Sequence, residues 1–225
     1  MKSTALVSLT TLVCLLLFAS CNNDGKSKDT PAPFKGISLY ARYDAELRSL
    51  KAEAMLVGDS SDVTIKEGIR FNEGELRPED VGHLRYSFEQ EGLDYPGKFT
   101  FTVPLTTPLV FSHALTPPSA IEIDGGFVNT AKGFTLKWQG KPLADNESFE
   151  ILIEDSERNV KEISLLGPSQ GNSVSFRPEQ LSDLKAGSGK MSIVLQKAEL
   201  LKGNSFQGEF NSQYFTPSFS VVIQN

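Results

Sequence analysis

Side chains that commonly perform catalysis or bind metals are few in this chain. Its 225 residues include two histidines, His83 and His113, and two cysteines, Cys14 and Cys21. A zinc or hydrolytic histidine site needs several converging ligands, and the sequence has neither a His-x-x-x-His nor a His-Glu pair. A Ser-His-Asp triad stays open, because its members can come from anywhere in a chain. We expect both histidines at a surface or an interface, and we predict no metal site and no cofactor.

One glycine-rich segment superficially matches a phosphate-binding loop. Residues 186–190 read Ala-Gly-Ser-Gly-Lys. A phosphate loop needs Ser or Thr after the lysine and a helix whose N-terminal amides face the phosphate. Here Met191 follows the lysine, and the next residues alternate as a strand does. We therefore predict a turn at this position.

Acidic residues cluster at 59–62 and at 154–157. Calcium needs six to eight oxygen ligands around a sharp loop, and neither cluster has the spacing of a known calcium loop. Residues 154–157 are more simply a solvated hairpin tip. No pair of carboxylates can be nominated as catalytic from the sequence.

Aromatic residues are concentrated near the C-terminus among Gly, Asn, Ser and Gln. Aromatic rings beside amide and hydroxyl groups suit stacking on sugars or peptides. The alternative is that these rings alternate into a hydrophobic core or cover a sheet edge. The candidate ligand-binding aromatics are Phe206, Phe210, Tyr214 and Phe215 in this segment, and Tyr95, which we expect to be exposed in the loop at residues 92–97.

Period-two alternation of apolar residues dominates the chain from residue 36 onward. It is clear at residues 37–43, 99–103, 134–138, 149–153 and 191–195, with turn signals between many of these segments. Many short strands separated by turns are typical of sandwiches and barrels. Pro117 and Pro118 interrupt the pattern, because proline cannot continue a central strand. We predict an all-β protein with two tandem immunoglobulin-like β-sandwich domains, at residues 36–116 and 117–225.

The N-terminus has the composition of an export signal. Residues 5–18 form an apolar run of about 14 residues, too short to span a bilayer but of the length of a signal-peptide core. Leu17-Phe18-Ala19-Ser20-Cys21 follows, and it resembles the lipobox of bacterial lipoproteins. The resemblance implies that residues 1–20 are removed and that Cys21 is acylated.

Several consequences follow from this resemblance. Cys14 would leave with the signal peptide, so the mature fold would have no cysteine for a disulfide or a thiolate site. Residues 21–35 are polar and rich in Gly and Pro, which predicts a flexible tether. Asn22 after the cysteine implies the outer membrane, and the Asn-Asn-Asp opening is similar to lipoproteins of the Bacteroidetes type, many of them surface-exposed.

The second half of the chain resembles fibronectin type III and related immunoglobulin-like domains over residues 120–223. In those domains a Trp on an early strand packs under the next strand, and a short Leu-containing corner leads into a later one. The residues that match are Phe134-Thr135-Leu136-Lys137-Trp138, residues 149–153, Val174-Ser175-Phe176, Leu181, Leu184 and residues 191–195. The fold by itself carries no function.

The net charge of the chain limits the classes of partner that it can bind. The 22 basic residues are outnumbered by 28 acidic ones, giving a net charge of −6. Nucleic-acid binding needs clustered Lys and Arg, and we predict none. The leading hypothesis is a non-enzymatic lipoprotein, anchored in the outer membrane through Cys21, that recognises a glycan or protein partner or serves as an accessory subunit of an envelope assembly. The alternatives are an envelope hydrolase acting on glycans or peptides, and a purely structural spacer.

Overall fold

The computed structural model describes residues 32–58, 65–80 and 84–225, and within them the backbone is almost entirely strand. Cys21 and His83 lie outside the described residues. Short 3-10 turns occur at Asp124–Gly126 and Pro178–Gln180. The strands are β1 (Gly36–Asp44), β2 (Ser49–Val57), β3 (Ile69–Phe71), β4 (Gly74–Asp80), β5 (Leu84–Gln90), β6 (Lys98–Val103), β7 (Leu109–Ala114), β8 (Ala120–Ile123), β9 (Val128–Asn129), β10 (Phe134–Gln139), β11 (Glu147–Glu154), β12 (Val160–Leu166), β13 (Ser173–Phe176), β14 (Gly187–Lys202), β15 (Gln207–Phe215) and β16 (Phe219–Gln224).

Alternation in the sequence is reproduced as alternation in burial. Ile37, Leu39, Ala41 and Tyr43 are buried, and the residues between them in β1 are only partly buried. β11 alternates in the same way along its whole length. A strand places successive side chains on opposite faces, so each strand contributes one face to the core. The predicted all-β sandwich fold is confirmed.

Strands β1 to β7 form a sandwich whose two layers are joined by β4. Residues 77–80 of β4 pair with β5, whereas residues 74–76 pair with β3. The strand order is therefore β1-β2-β5-β4-β3-β6-β7. Phe101 on β6 meets Phe210 on β15 edge-on at 5.3 Å, a contact that closes the core between the layers.

Strands β8 to β16 form a second two-layer arrangement. One sheet has the order β13-β10-β8, and in the other β12, β11, β14 and β16 are neighbours. The single tryptophan, Trp138 on β10, meets Phe149 on β11 edge-on at 5.2 Å across the two sheets. Trp138 on β10 therefore packs against the next strand along the chain, β11.

Strand pairing crosses the predicted boundary at residues 116–117. β14 is 16 residues long; its first part pairs with β16 and its second part with β15. β15 then pairs in parallel with β1 through nine residue pairs. All described residues belong to one compact unit. The division into two domains stays a prediction, but one hydrogen-bonded path runs through both halves.

The ordered body begins earlier than residue 36. Phe34 is fully buried and its ring lies 5.3 Å from that of Phe206. The Ala32 N–H donates to Ser205 Oγ at 2.9 Å, and the Lys35 N–H donates to the Val57 carbonyl at 2.7 Å. Residues 32–35, expected at the end of the tether, are thus held in the body because Phe34 has apolar neighbours. None of the helices within the described residues is long and apolar enough to cross a membrane.

Candidate functional site

His113 lies between a serine and a glutamate. It is on β7, and its ring stacks on Phe210 with centroids 3.8 Å apart. Its Nδ1 is 2.9 Å from Ser212 Oγ on β15, and its Nε2 is 3.2 Å from Glu199 Oε2 on β14. The three residues come from strands far apart in sequence, and the packing of β7 against the β14–β15 hairpin brings them together.

The hydrogen bonds around His113 have a definite direction. The Glu199 carboxylate can only accept, so the neutral imidazole carries its proton on Nε2 and donates it to Glu199. Nδ1 then accepts the proton of the Ser212 hydroxyl. A hydroxyl donating to an imidazole that donates to a carboxylate is the polarity of an acyl-transfer triad.

The hydrogen-bonded series Ser212–His113–Glu199 is not accessible to a substrate. Ser212 has no exposed surface and His113 is only 1% exposed, so the hydroxyl oxygen cannot reach a ligand in this structure. Burial, followed by the charge of Lys197, lowers the pKa of His113, while Glu199 opposes the shift. The neutral imidazole is therefore favoured at neutral pH. His113, expected at a surface or an interface, is instead buried inside the fold, and Ser212 and Glu199 are partners that the sequence had not indicated.

A Gly-x-Ser-x-Gly sequence at residues 167–171 is a motif that sequence reasoning missed. A nucleophile elbow needs a serine exposed between a strand and a helix. Here the serine is Ser169, in the loop between β12 and β13, and a strand follows it. Its Oγ accepts the Leu143 N–H and donates to the Gly171 carbonyl, both at 2.9 Å. Ser169 therefore holds two loops together and has no elbow geometry.

The glycine-rich segment at 186–190 is extended, where a turn was expected. Gly187 to Lys190 are the first residues of β14 and pair with β16. A side chain at Gly189 would overlap the carbonyl oxygen of Glu154, so glycine allows β11 to approach at this point. The prediction of a turn is wrong here because the small residues serve close strand packing.

Asp155 organises the hairpin tip at residues 154–159. It is 3% exposed and accepts hydrogen bonds from the backbone N–H groups of Glu157, Asn159 and Lys185. Burial by itself would raise its pKa, but these bonds and the Asn159 side chain outweigh it and lower the pKa to about 2. The carboxylate is a structural acceptor at this tip. Within the part of the chain that the structure describes, no three His, Cys, Asp or Glu residues are grouped to hold a metal ion.

The predicted ligand-binding aromatics fall into different environments. Phe210 is fully buried, so its ring offers no surface to a ligand and acts in packing. Phe206 is partly buried against Phe34 and Phe111. Phe215 is partly buried with the Arg42 guanidinium 3.7 Å above its ring. Four of the five candidates lie on or beside β15, where alternation directs some rings inward.

Tyr95 and Tyr214 belong to a cluster of three tyrosines. Their rings meet at 4.9 Å, and Tyr43 lies 5.3 and 5.6 Å from them. The Tyr95 hydroxyl donates to the Leu115 carbonyl at 3.0 Å, and burial raises the pKa of both Tyr95 and Tyr214. The expected exposed loop aromatic at Tyr95 is thus partly buried, because the loop folds its ring onto the sheet.

A groove opens where β4 and β5 separate. The two strands stop pairing at Arg77 and Ser87, and the Phe88 ring lies against Gly74 in the gap. The groove encloses about 740 Å³. Its floor includes Phe71 and Leu93, and Lys98 and Asp94 lie at its polar rim.

A second depression, here called the polar trough, lies on the outer face of the sheet formed by β12, β11, β14, β15 and β1. It encloses about 470 Å³, within the range of about 300–1,000 Å³ typical of small-ligand sites. Tyr40 donates a 2.7 Å hydrogen bond to Gln213 Oε1 within it. The residues that line it are Tyr40, Asp145, Asn146, Glu147, Ser148, Leu166, Gly167, Gln196, Lys197, Ala198, Asn211, Ser212 and Gln213.

Neither a family model nor a curated protein matches this chain.

Proposed function

We propose that this chain is an envelope lipoprotein, anchored in the outer membrane through acylated Cys21, that acts without catalysis by recognising a partner at the surface of its β-sandwich body. An accessory subunit of an envelope assembly would work in the same way. The anchor rests on Leu17-Phe18-Ala19-Ser20-Cys21. Several acyl chains exceed the two signals needed for stable anchoring.

Recognition is supported by the outer face of the sheet. The polar trough presents mostly uncharged polar side chains on a floor of paired strands, with Asp145, Glu147 and Lys197 also in its lining. A rigid scaffold lowers the entropic cost of ordering the groups that meet a partner. This observation carries the proposal.

The anchor is tested by mass spectrometry of the mature chain and by membrane fractionation. We expect an acylated N-terminal Cys21 and recovery with the outer membrane. Cys21→Ser removes the acyl acceptor and should shift the chain out of the membrane fraction. An unmodified N-terminus at another residue would contradict the anchor.

A hydrolase is the second candidate, favoured by the Ser212–His113–Glu199 line. An activated serine reacts with fluorophosphonate reagents, whereas a buried one is shielded. We expect the folded chain to remain unlabelled. Labelling at Ser212, lost in Ser212→Ala, would support the hydrolase and contradict the non-catalytic proposal.

A further inference from the structure

We infer that the polar trough binds a neutral oligosaccharide. This inference rests on the proposed recognition function and gives it a site and a ligand class. Two rows of side chains form the floor. One row runs Leu166, Ser148, Gln196, Gln213 across four strands in register.

The second row lies one pleat away. Ala198, Asn211 and Tyr40 stand opposite one another on β14, β15 and β1. Ala198 is exposed and small, so it leaves a depression between the longer side chains around it. Together the two rows place three amide side chains and two hydroxyls around one open space.

Most of these polar groups are free to bind. Among the described residues, the side chains of Gln196, Asn211 and Ser148 form no hydrogen bond with the protein. The only described buried side-chain atom without a partner is Arg85 Nε, so the free groups of the trough all face solvent. Tyr40 occupies Gln213 Oε1 and leaves the two amide protons of Gln213 as donors.

The neighbouring part of the same face is different. Beyond Tyr40 and Arg42 the side chains are charged and paired with one another. Arg85 contacts Glu53 at 3.5 Å and Glu79 at 2.8 Å, and Arg42 contacts Asp44 at 3.0 Å. The two floor rows of the trough thus carry no charged side chain, in contrast to this ion-paired surface. Asp145, Glu147 and Lys197 also line the trough, and Glu147 is paired with Lys141 at 2.8 Å.

These properties select the ligand class. Neutral amides and hydroxyls offer donors and acceptors but little net charge, which suits a polyhydroxylated neutral molecule better than an ion. Leu166 is 73% exposed at one rim and offers an apolar contact for the C–H face of a sugar ring. Burial raises the pKa of Tyr40, so its phenol stays protonated and keeps donating to Gln213, which leaves the phenol oxygen as an acceptor for a ligand.

An extended peptide is less suited to this site. Peptides that add to a sheet pair with the free backbone of an edge strand. Gln196 is paired with β11 and β15, and Gln213 with β14 and β1. The floor strands β11, β14, β15 and β1 are paired on both sides, and the free edge of the sheet lies on the far side of β12, beyond Leu166. Recognition on the floor must therefore come from side chains.

The test is a titration of the full chain, in a detergent without a sugar headgroup, with neutral hexasaccharides. The probes are β-1,4-linked glucose, xylose, mannose and N-acetylglucosamine, and α-1,4-linked glucose. We expect at least one to bind with a Kd of about 10 μM to 1 mM by calorimetry. Gln196→Ala and Gln213→Ala should each weaken that binding about tenfold, since each removes hydrogen bonds to the ligand.

Gln207→Ala is the matched control. Gln207 is an exposed glutamine on β15, outside the trough. Its substitution should leave the Kd within about twofold. Absence of binding to every probe at about 10 mM, or equal losses in all three variants, would overturn the assignment. Binding of extended peptides alone would also overturn it. Because acylation of Cys21 is measured separately, a failed titration with an acylated chain rejects the trough and not the anchor.

Discussion

The imidazole of His113 lies among Phe210, Ser212, Glu199 and Lys197. The charge of His113 therefore affects the stability of the packing between β7 and the β14–β15 hairpin. Glu199 is about half exposed, whereas His113 is not. Solvent can therefore compensate the glutamate but not the imidazole. A proton added at Nδ1 of His113 would reverse its bond with Ser212, whose hydroxyl would then donate to the more distant Lys197 carbonyl at 3.4 Å.

Stability should therefore fall in mild acid. The pKa of His113 in the fold lies below its ordinary 6.5. Between the two values the unfolded chain binds more protons, so this contribution is complete above about pH 6.5 and is lost as the pH falls toward the folded pKa. His113→Gln should cost about 1–3 kcal/mol near pH 8 and remove this part of the pH dependence. Urea unfolding at several pH values measures both effects.

A companion variant separates the charge of Glu199 from its packing. Glu199 opposes the lowering of the His113 pKa. Glu199→Gln should therefore lower the folded pKa further, so that the loss of stability in acid becomes larger and continues to lower pH, with its onset near pH 6.5 unchanged. A pH profile identical in wild type and His113→Gln would contradict the role of His113.

At the scale of strands, β1 and β15 depend on a close approach at Gly208. A side chain at Gly208 would overlap the carbonyl oxygen of Ile37, its partner on β1. Neither strand can move away without breaking pairs on its other side. Only glycine therefore fits at position 208 without a steric clash.

Gly208→Ala should lower the free energy of unfolding by about 1–3 kcal/mol, the usual cost of overpacking. Thermal and urea unfolding measure the loss. Gly171→Ala is the control, because a side chain at Gly171 meets no atom within 4 Å. If the two substitutions change the free energy of unfolding equally, the close approach of β1 and β15 does not limit the residue type at position 208.

The strands themselves were largely predictable, because alternation is a local property. Residues 149–153 alternate in sequence and in burial, and they form β11 as expected. The site was not predictable in the same way. Glu199 and Ser212 are 86 and 99 residues from His113, and no local pattern connects them. The polar trough likewise depends on the register of β11, β14, β15 and β1, which is set by long-range pairing.

At the scale of the whole molecule, the β14–β15 hairpin connects the two halves. The second part of β14 pairs with β15, and β15 pairs with β1 through nine residues. Core residues from both halves belong to one hydrophobic cluster. If the ladder is strong, neither half can unfold without exposing the faces that the hairpin covers.

We therefore expect one cooperative unfolding transition. Trp138 is the only tryptophan and lies in the second half, so its fluorescence reports that half, whereas far-UV circular dichroism reports all strands. The two signals should share one urea midpoint, with an m-value about twice that of an independent half, since m scales with the surface exposed.

In Gly208→Ala the two midpoints should draw apart, because the ladder is weakened while the Trp138 core is untouched. Separate transitions in the wild type would instead show that the predicted boundary at residues 116–117 divides two independently folding domains.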